Sequence, residues 1–253
     1  DLPAPHLDFK SSTPGRAFLT VMEGCDMFCT FCIVPQTRGR EISRPAESIL
    51  SEARRLAEAG VREVTLLGQT VNAYGRHDLG RGRSQQAGTM AFAELLSLLD
   101  AVPGIERIRY TSPHPLFFDD SLIEAHARLK GLCPHVHLPL QSGSNAILSA
   151  MRRRYDRERY LEIVRSLRKA VPSIALTTDL IVGFPGETEE DFQATLDLME
   201  EAGFVDSYSF KYSQRPGTQA INLPGEVPPE EAQARLERLQ GVQRTLTLSH
   251  HRS

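Results

Sequence analysis

The sequence predicts an α/β fold, an open six-unit (β/α)6 partial TIM barrel, from three observations. Short β-prone runs alternate with amphipathic helical patterns along most of the 253 residues, and such alternation builds a parallel sheet with right-handed crossovers. The strand–helix units number six, where a complete TIM barrel has eight. The barrel is therefore expected to stay open on one side, wide enough to admit a macromolecular substrate. Polar side chains recur just past the strand ends, where barrels and open α/β sheets carry their reactive groups.

Taken in order, Ala17 to Met22 is a β-prone run leading directly into a cysteine loop. Ala46 to Ala59 places Ile49, Leu50, Ala53, Leu56 and Ala57 on one helical face and stops at Gly60, a residue suited to a C-cap. Val61 to Leu67 reads as a strand, Met90 to Asp100 as a helix, Arg107 to Thr111 as a strand and Asp119 to Leu129 as a helix. His135 to Leu140 is the fourth strand, followed by helices Asn145 to Met151 and Arg157 to Ala170, the second capped by Asp156. Ile174 to Val182 is apolar and β-branched, suited to burial on both faces. Thr188 and Asp191 make a capping box with Asp where Glu is usual, opening a helix to Ala202. Ser207 to Tyr212 is the last strand and Glu230 to Ser249 a terminal helix.

Three regions result. Residues 1–15, rich in Pro, Ser and charge without periodicity, read as a linker. Residues 16–222 form the partial barrel, and 223–253 a C-terminal helix with a tail that includes His250 and His251. Both ends read as cut points, and Gly75 to Gly88 reads as a surface loop. A net charge of −3 offers no global attraction to nucleic acid, so RNA contact must come from local arginines or from a further domain. There is no signal-peptide pattern and no apolar run long enough to span a bilayer, so a reducing, cytoplasmic setting without membrane is expected.

The most informative segment is Gly24-Cys25-Asp26-Met27-Phe28-Cys29-Thr30-Phe31-Cys32, with no fourth cysteine nearby. A four-iron four-sulfur cluster on three thiolates keeps one iron open for substrate or cofactor, whereas an electron-transfer cluster closes its fourth corner with another cysteine. Structural zinc would want a fourth ligand, and the spare candidates Cys133, His114 and His137 lie far along the chain. Cys133 alone reads as a small buried hydrophobe beside a strand.

The rim then fills in strand by strand. The cysteine loop follows the first strand, Gln69 and Asn72 the second, Ser112 and His114 the third, Gln141 and Ser142 the fourth, Gly183 and Phe184 the fifth, and Arg215 the sixth. Any one of them is as readily a loop-capping residue, and the joint placement carries the argument. A small chelating cofactor on the open iron would need its remaining parts held. Gln69, Ser112, Gln141 and Asp179 suit hydroxyl and amide-like groups, and Arg153 suits a carboxylate. Backbone from Val182 to Phe184 suits a base edge, with Gly183 permitting close approach. Phe31 is placed to cover the cluster, or simply packs in the loop. Arg152, Arg154, Arg157 and Arg159 read as solvated helix ends, whereas Arg38, Arg40 and Arg44 flank the barrel mouth as candidates for phosphate contacts. No Ser-His-Asp arrangement, P-loop or dinucleotide fingerprint is present.

The Cys-x-x-x-Cys-x-x-Cys loop with an aromatic before its third cysteine resembles the signature of radical S-adenosylmethionine (SAM) enzymes. More narrowly, Met22 to Cys25, Pro35 to Gly39, His137 to Ser144 and Asp179 to Thr188 resemble the methylthiotransferases. Leu67 to Tyr74 is similar to the tRNA-modifying MiaB branch, where the ribosomal-protein branch usually shows Ser-Gln-Asp, and Tyr208 to Phe210 and Arg215 to Thr218 agree with it.

That resemblance implies a partial barrel of radical SAM type. Cys25, Cys29 and Cys32 would hold a 4Fe-4S cluster whose open iron binds SAM. Reductive cleavage would yield a 5′-deoxyadenosyl radical that takes hydrogen from the adenine C2 of N6-isopentenyladenosine beside the anticodon, and a methylthio group would come from a second cluster. Unactivated aromatic C–H bonds resist acid–base chemistry, so the hard step falls to metal and cofactor. A splayed base in a single-stranded loop can reach such a site. The implied partners are the tRNA anticodon loop and a one-electron reductant such as flavodoxin or ferredoxin. Arg38, Arg40, Asn72, Tyr74 and Arg215 are the candidate substrate contacts. The family also carries an N-terminal domain with three further cysteines and a C-terminal TRAM domain. Neither is expected here, so the chain reads as the central domain, able to cleave SAM and unable to transfer sulfur. The rival expectations are a ribosomal-protein aspartate or a threonylcarbamoyladenosine tRNA as substrate, and a non-catalytic metal-binding RNA module.

Overall fold

The computed structural model describes residues 15–76 and 88–252. The linker before Gly15 and most of the Gly75 to Gly88 loop lie outside the described residues. In chain order the first elements are β1 (Arg16–Thr20), β2 (Met22–Glu23), α1 (Val34–Thr37), β3 (Ile42–Ser43), α2 (Ala46–Glu58) and β4 (Glu63–Leu67). There follow α3 (Phe92–Asp100), β5 (Arg107–Tyr110), α4 (Asp120–Arg128), β6 (His135–His137) and α5 (Asn145–Ala150). The last are α6 (Arg157–Ala170), β7 (Ala175–Val182), α7 (Glu189–Ala202), β8 (Asp206–Lys211) and α8 (Pro229–Arg252). Single 3-10 turns occur at Val71–Ala73, Pro115–Phe117 and Gln219–Asn222.

These elements form two compact units. The first comprises the described residues up to Asp26 with Arg38–Pro113 and Asp119–Cys133, and the second Met27–Thr37, His114–Phe118 and Pro134 onward.

In the first unit β1, β4 and β5 pair in parallel in the order β1-β4-β5, with Ala17 opposite Val64 and Glu63 opposite Arg107. Alternation along β1 buries Ala17 and Leu19 while Phe18 stays exposed, as a period of two residues requires. On α2 the apolar stripe Ile49, Leu50, Ala53 and Leu56 is buried, each fully buried large aliphatic contributing roughly 1.5–3 kcal/mol. Between β1 and α2 the chain makes an antiparallel pairing that the alternation pattern did not signal, Met22 opposite Ser43 and Glu23 opposite Ile42.

In the second unit β6, β7 and β8 pair in parallel, β7 in the middle. The expected strand His135 to Leu140 stops after three residues. Its interruption has a chemical cause, because Pro139 has no N–H to offer the ladder. Thr178 on β7 fills the gap: its hydroxyl donates to Leu138 O at 2.9 Å and accepts from Leu140 N–H at 2.9 Å. Pairing then resumes at Gln141, which donates to Asp179 O at 2.8 Å and accepts from Ile181 N–H at 2.9 Å. Asp156 caps α6 through Arg159 N–H. The Thr188–Asp191 box opens α7, which ends at Gly203 with φ 54°. Helix α8 runs on to Arg252, so His250 and His251 are helical rather than a tail. Among the described residues no helix is long and apolar enough to cross a membrane.

Thr178→Val removes the hydroxyl that joins Leu138 O to Leu140 N–H across Pro139 while keeping the side-chain volume. It is expected to destabilise the protein by about 1–3 kcal/mol, read as a lowered urea midpoint with an unchanged slope.

Candidate active site

The cysteine loop begins with a turn that only glycine tolerates. Gly24 has φ +75°, and a Cβ there would lie 2.1 Å from Arg40 O. The adjacent Cys25 N–H donates to Gly39 O at 3.2 Å, and Cys25 Sγ lies 3.2 Å from the Thr70 hydroxyl, one residue beyond Gln69. Asp26 takes two hydrogen bonds from Arg40, 2.5 Å from Nε and 2.8 Å from Nη2. Arg40 is thus committed to the loop.

The rest of the loop belongs to the second unit and is pinned there. Thr30 N–H donates to Met151 O at 3.1 Å, its hydroxyl to Ala150 O at 2.9 Å, and its carbonyl accepts from Ala220 N–H at 2.9 Å. Phe31 packs against Ile147, Met151, Phe184 and Ala220. Cys29 Sγ accepts a hydrogen bond from Arg153 Nη1 at 3.4 Å. Arg153 is buried and also donates to Pro139 O at 3.3 Å and to the Tyr155 hydroxyl at 3.1 Å. Its guanidinium keeps its charge under any ordinary condition, so the Cys29 sulfur has a cationic donor beside it. Burial pushes the Cys32 thiol up, opposed chiefly by a backbone hydrogen bond at Val34.

Backbone strain marks the same places. Among the described residues, the non-glycine positions with positive φ are Phe28, Ser112, Gln141, Arg152 and Arg154. Phe28 lies inside the cysteine loop, Ser112 and Gln141 follow β5 and β6, and Arg152 and Arg154 flank Arg153. Left-handed non-glycine backbone costs of order 1–3 kcal/mol per residue and gathers at functional sites.

The other sequence candidates divide into two groups. Gln69 Oε1 is buried with no protein hydrogen-bond partner, an acceptor open to water or a ligand. Gly183 has φ +71° and borders a cavity of about 490 Å³ lined also by Pro185, Tyr212, Ala220, Leu223 and Ala232, inside the roughly 300–1,000 Å³ range of small-molecule sites. Its N–H is already given to Glu187 Oε2 at 2.6 Å and is not free for a ligand. Phe184 is fully buried in the cluster under Phe31. Asp179 Oδ1 lies 3.2 Å from His137 Nε2. Arg38 and Arg215 are exposed.

Three expectations are corrected. Tyr74 is fully buried and donates to Arg44 O at 2.7 Å, and Asn72 is buried too, so neither presents a side chain to a substrate. Arg44 is likewise internal, bonded to Thr20 O, Ser48 and Glu52. Residues the sequence did not signal include Thr70, Tyr155 and Glu41. Burial and then Asp26 push the Glu41 carboxyl up to about 8, a tertiary effect with no local pattern.

Among the described residues no three His, Cys, Asp or Glu side chains are gathered as a group around one metal ion. The cysteines are therefore judged on their donor chemistry. All three are free thiols, one carries a charged donor, and a partnerless buried acceptor stands at Gln69. Three free thiols at this spacing fit an iron–sulfur cluster with an open corner. A family model for the radical SAM superfamily matches residues 19–199.

The chain belongs to the radical SAM superfamily.

Curated relatives within it include the tRNA-2-methylthio-N(6)-dimethylallyladenosine synthase of Geotalea uraniireducens, 53% identical over 93% of this chain and 52% of its own length. The protein of the same name from Nitratidesulfovibrio vulgaris is 50% identical over 94% of this chain and 51% of its own length. The chain thus spans about half the length of the curated relatives it matches. Two solved structures share its radical SAM fold. The radical SAM methyltransferase TsrM from Kitasatospora setae superposes with TM-score 0.64 at 20% identity over 82% of this chain and 38% of its own. Coproporphyrinogen III oxidase from Escherichia coli does so with TM-score 0.61 at 16% identity over 92% and 53%.

Two outcomes follow from this geometry. Gly24→Ala, driven into Arg40 O, is expected to lose most of the iron that the wild-type protein takes up on anaerobic reconstitution, while far-ultraviolet circular dichroism stays unchanged. Glu41 is held protonated by folding, so its burial costs stability as pH rises from the ordinary carboxylate range through about 8. In metal-free protein Glu41→Gln should match wild type near pH 5 and exceed it by about 1 kcal/mol or more at pH 8.5, measured by urea unfolding at both values.

Proposed function

We propose that this chain is the radical SAM core of a tRNA methylthiotransferase acting at C2 of N6-isopentenyl (dimethylallyl) adenosine next to the anticodon. The observation that carries the reading is the free three-thiol loop with the Arg153 guanidinium on the Cys29 sulfur, in a chain about half identical to tRNA-2-methylthio-N(6)-dimethylallyladenosine synthases.

In this reading Cys25, Cys29 and Cys32 hold a 4Fe-4S cluster. When bound, cluster and SAM supply a 5′-deoxyadenosyl radical able to remove hydrogen from an unactivated aromatic carbon. The protein's own work is to hold, orient and exclude. Arg153 offsets thiolate charge at Cys29, a role that replaces the carboxylate contact expected for it. Phe31 and Phe184 bring apolar packing up to the loop and limit water, which raises the potential of a buried cluster. The cavity beside Gly183 takes the adenine and ribose. Gln69, Ser112 and Gln141 are assigned to the hydroxyl and amide-like groups of the cofactor. The second carboxylate oxygen of Asp179 is open to a hydroxyl beside its His137 contact.

Arg38, Arg40 and Arg215 are exposed and suited to the tRNA backbone, now without Arg44, Asn72 and Tyr74. A one-electron donor of the flavodoxin or ferredoxin kind and a cytoplasmic location complete the reading. Beyond the loop these residues contain only Cys133, buried beside Ile108. We therefore assign cluster binding and SAM cleavage to this chain and leave delivery of sulfur to a second cluster outside it.

Anaerobic reconstitution should give about four irons per chain, and dithionite with SAM should release 5′-deoxyadenosine. Cys29→Ala should abolish both. About eight irons, or no deoxyadenosine from a fully loaded wild type, would contradict the assignment.

A further inference from the structure

Glu187 and Arg235 form the most deeply buried ion pair of the second unit, their side chains 1% and 3% exposed. Arg235 Nη1 donates to Glu187 Oε2 at 2.8 Å and to Glu187 O at 3.0 Å. Nη2 donates to Glu231, one turn back on α8, and the guanidinium carbon stands 5.8 Å from the Phe192 ring centre on α7. The acid end of the pair does not stop at Arg235. The same Glu187 Oε2 accepts the Gly183 N–H at 2.6 Å, so one carboxylate oxygen joins α8 to the last turn of backbone beyond β7. Steric contact reinforces that link, since a Cβ at Gly183 would lie 2.7 Å from Ala232 Cβ. Ala232 and Arg235 are three residues apart and share a helix face. Helix α8 also supplies Pro229 and Ala232 to the wall of the cavity beside Gly183.

We propose that Arg235 is a positioning residue for the adenosyl part of SAM: by holding Glu187 it fixes the Gly183 strand end and the cavity wall against which the base lies. The assignment rests on the cofactor reading of that cavity given above. Arg235 lies outside the segment matched by the superfamily model, so a helix beyond that segment sets cofactor affinity from behind the strand. Three features make the role specific to arginine. Its fork reaches Glu187 side chain, Glu187 backbone and Glu231 together, which a lysine point charge cannot do. It acts on the Gly183 N–H through Glu187 rather than on the ligand. It also joins the cavity to α8, so anything that shifts α8 shifts the cavity wall.

The test uses Arg235→Met, Arg235→Lys and the double variant Glu187→Gln/Arg235→Met, which leaves no buried unpaired charge should the first fail to fold. Amide exchange of the peptide containing Gly183, measured by mass spectrometry in metal-free protein, reads the clamp without cofactor. KM and kcat for 5′-deoxyadenosine formation in reconstituted protein read its consequence. Exchange at least tenfold faster and a KM for SAM at least tenfold higher, with kcat within threefold, are expected for Arg235→Met. Arg235→Lys should fall between it and wild type, and the double variant should raise KM at least fivefold. A folded variant lacking Arg235 whose exchange or KM stays within twofold of wild type overturns the proposal. If wild type itself releases no deoxyadenosine, the cofactor reading fails, and the exchange result alone decides whether Arg235 fixes Gly183.

Discussion

Everything in this site depends on holding one short loop in a shape its own sequence resists. Three thiols within eight residues must stay free and separate, and the bends that do this need left-handed backbone at Gly24 and at Phe28. The first is free of penalty only because glycine has no Cβ. The second costs of order 1–3 kcal/mol and persists because the flanking residues are tied down. Cys25 is fastened through Gly39 and Thr70, and Thr30 uses its N–H, its carbonyl and its hydroxyl on α5 and the Gln219–Asn222 turn. The loop is shaped by partners far along the chain.

Buried charge follows the same logic. Arg44 with Glu52, Arg153 with Cys29 and Arg235 with Glu187 are each internal and each bonded on several sides. An unpaired charge in such a setting costs several kcal/mol, so each arginine fixes the geometry of what it binds. Arg44, Arg153 and Arg235 are therefore scaffolding and not part of a surface for nucleic acid.

What could be read directly was periodic or chemically singular. Strand–helix alternation located the six parallel strands, Asp156 and the Thr188–Asp191 pair located their helix starts, and the cysteine spacing located the loop. The length of β6 was misjudged because apolar character says nothing of ladder bonds, and Pro139 breaks the ladder while Thr178 bridges it. Tyr74 was placed near substrate by its segment, yet its ring points inward to Arg44 O. Burial of one residue in a polar stretch is decided by what packs on it. Glu41 and Arg235 were invisible for a related reason: their partners Asp26 and Glu187 lie 15 and 48 residues away, beyond any window of local pattern.

The central claim is that this loop holds a cluster with one iron open to SAM. Paramagnetic resonance of the reduced, anaerobically reconstituted protein tests it most directly. The account predicts the signal of a single reduced four-iron cluster whose g-values shift when SAM is added. A spectrum that SAM leaves unchanged, or a preparation that binds zinc in place of iron, would contradict it.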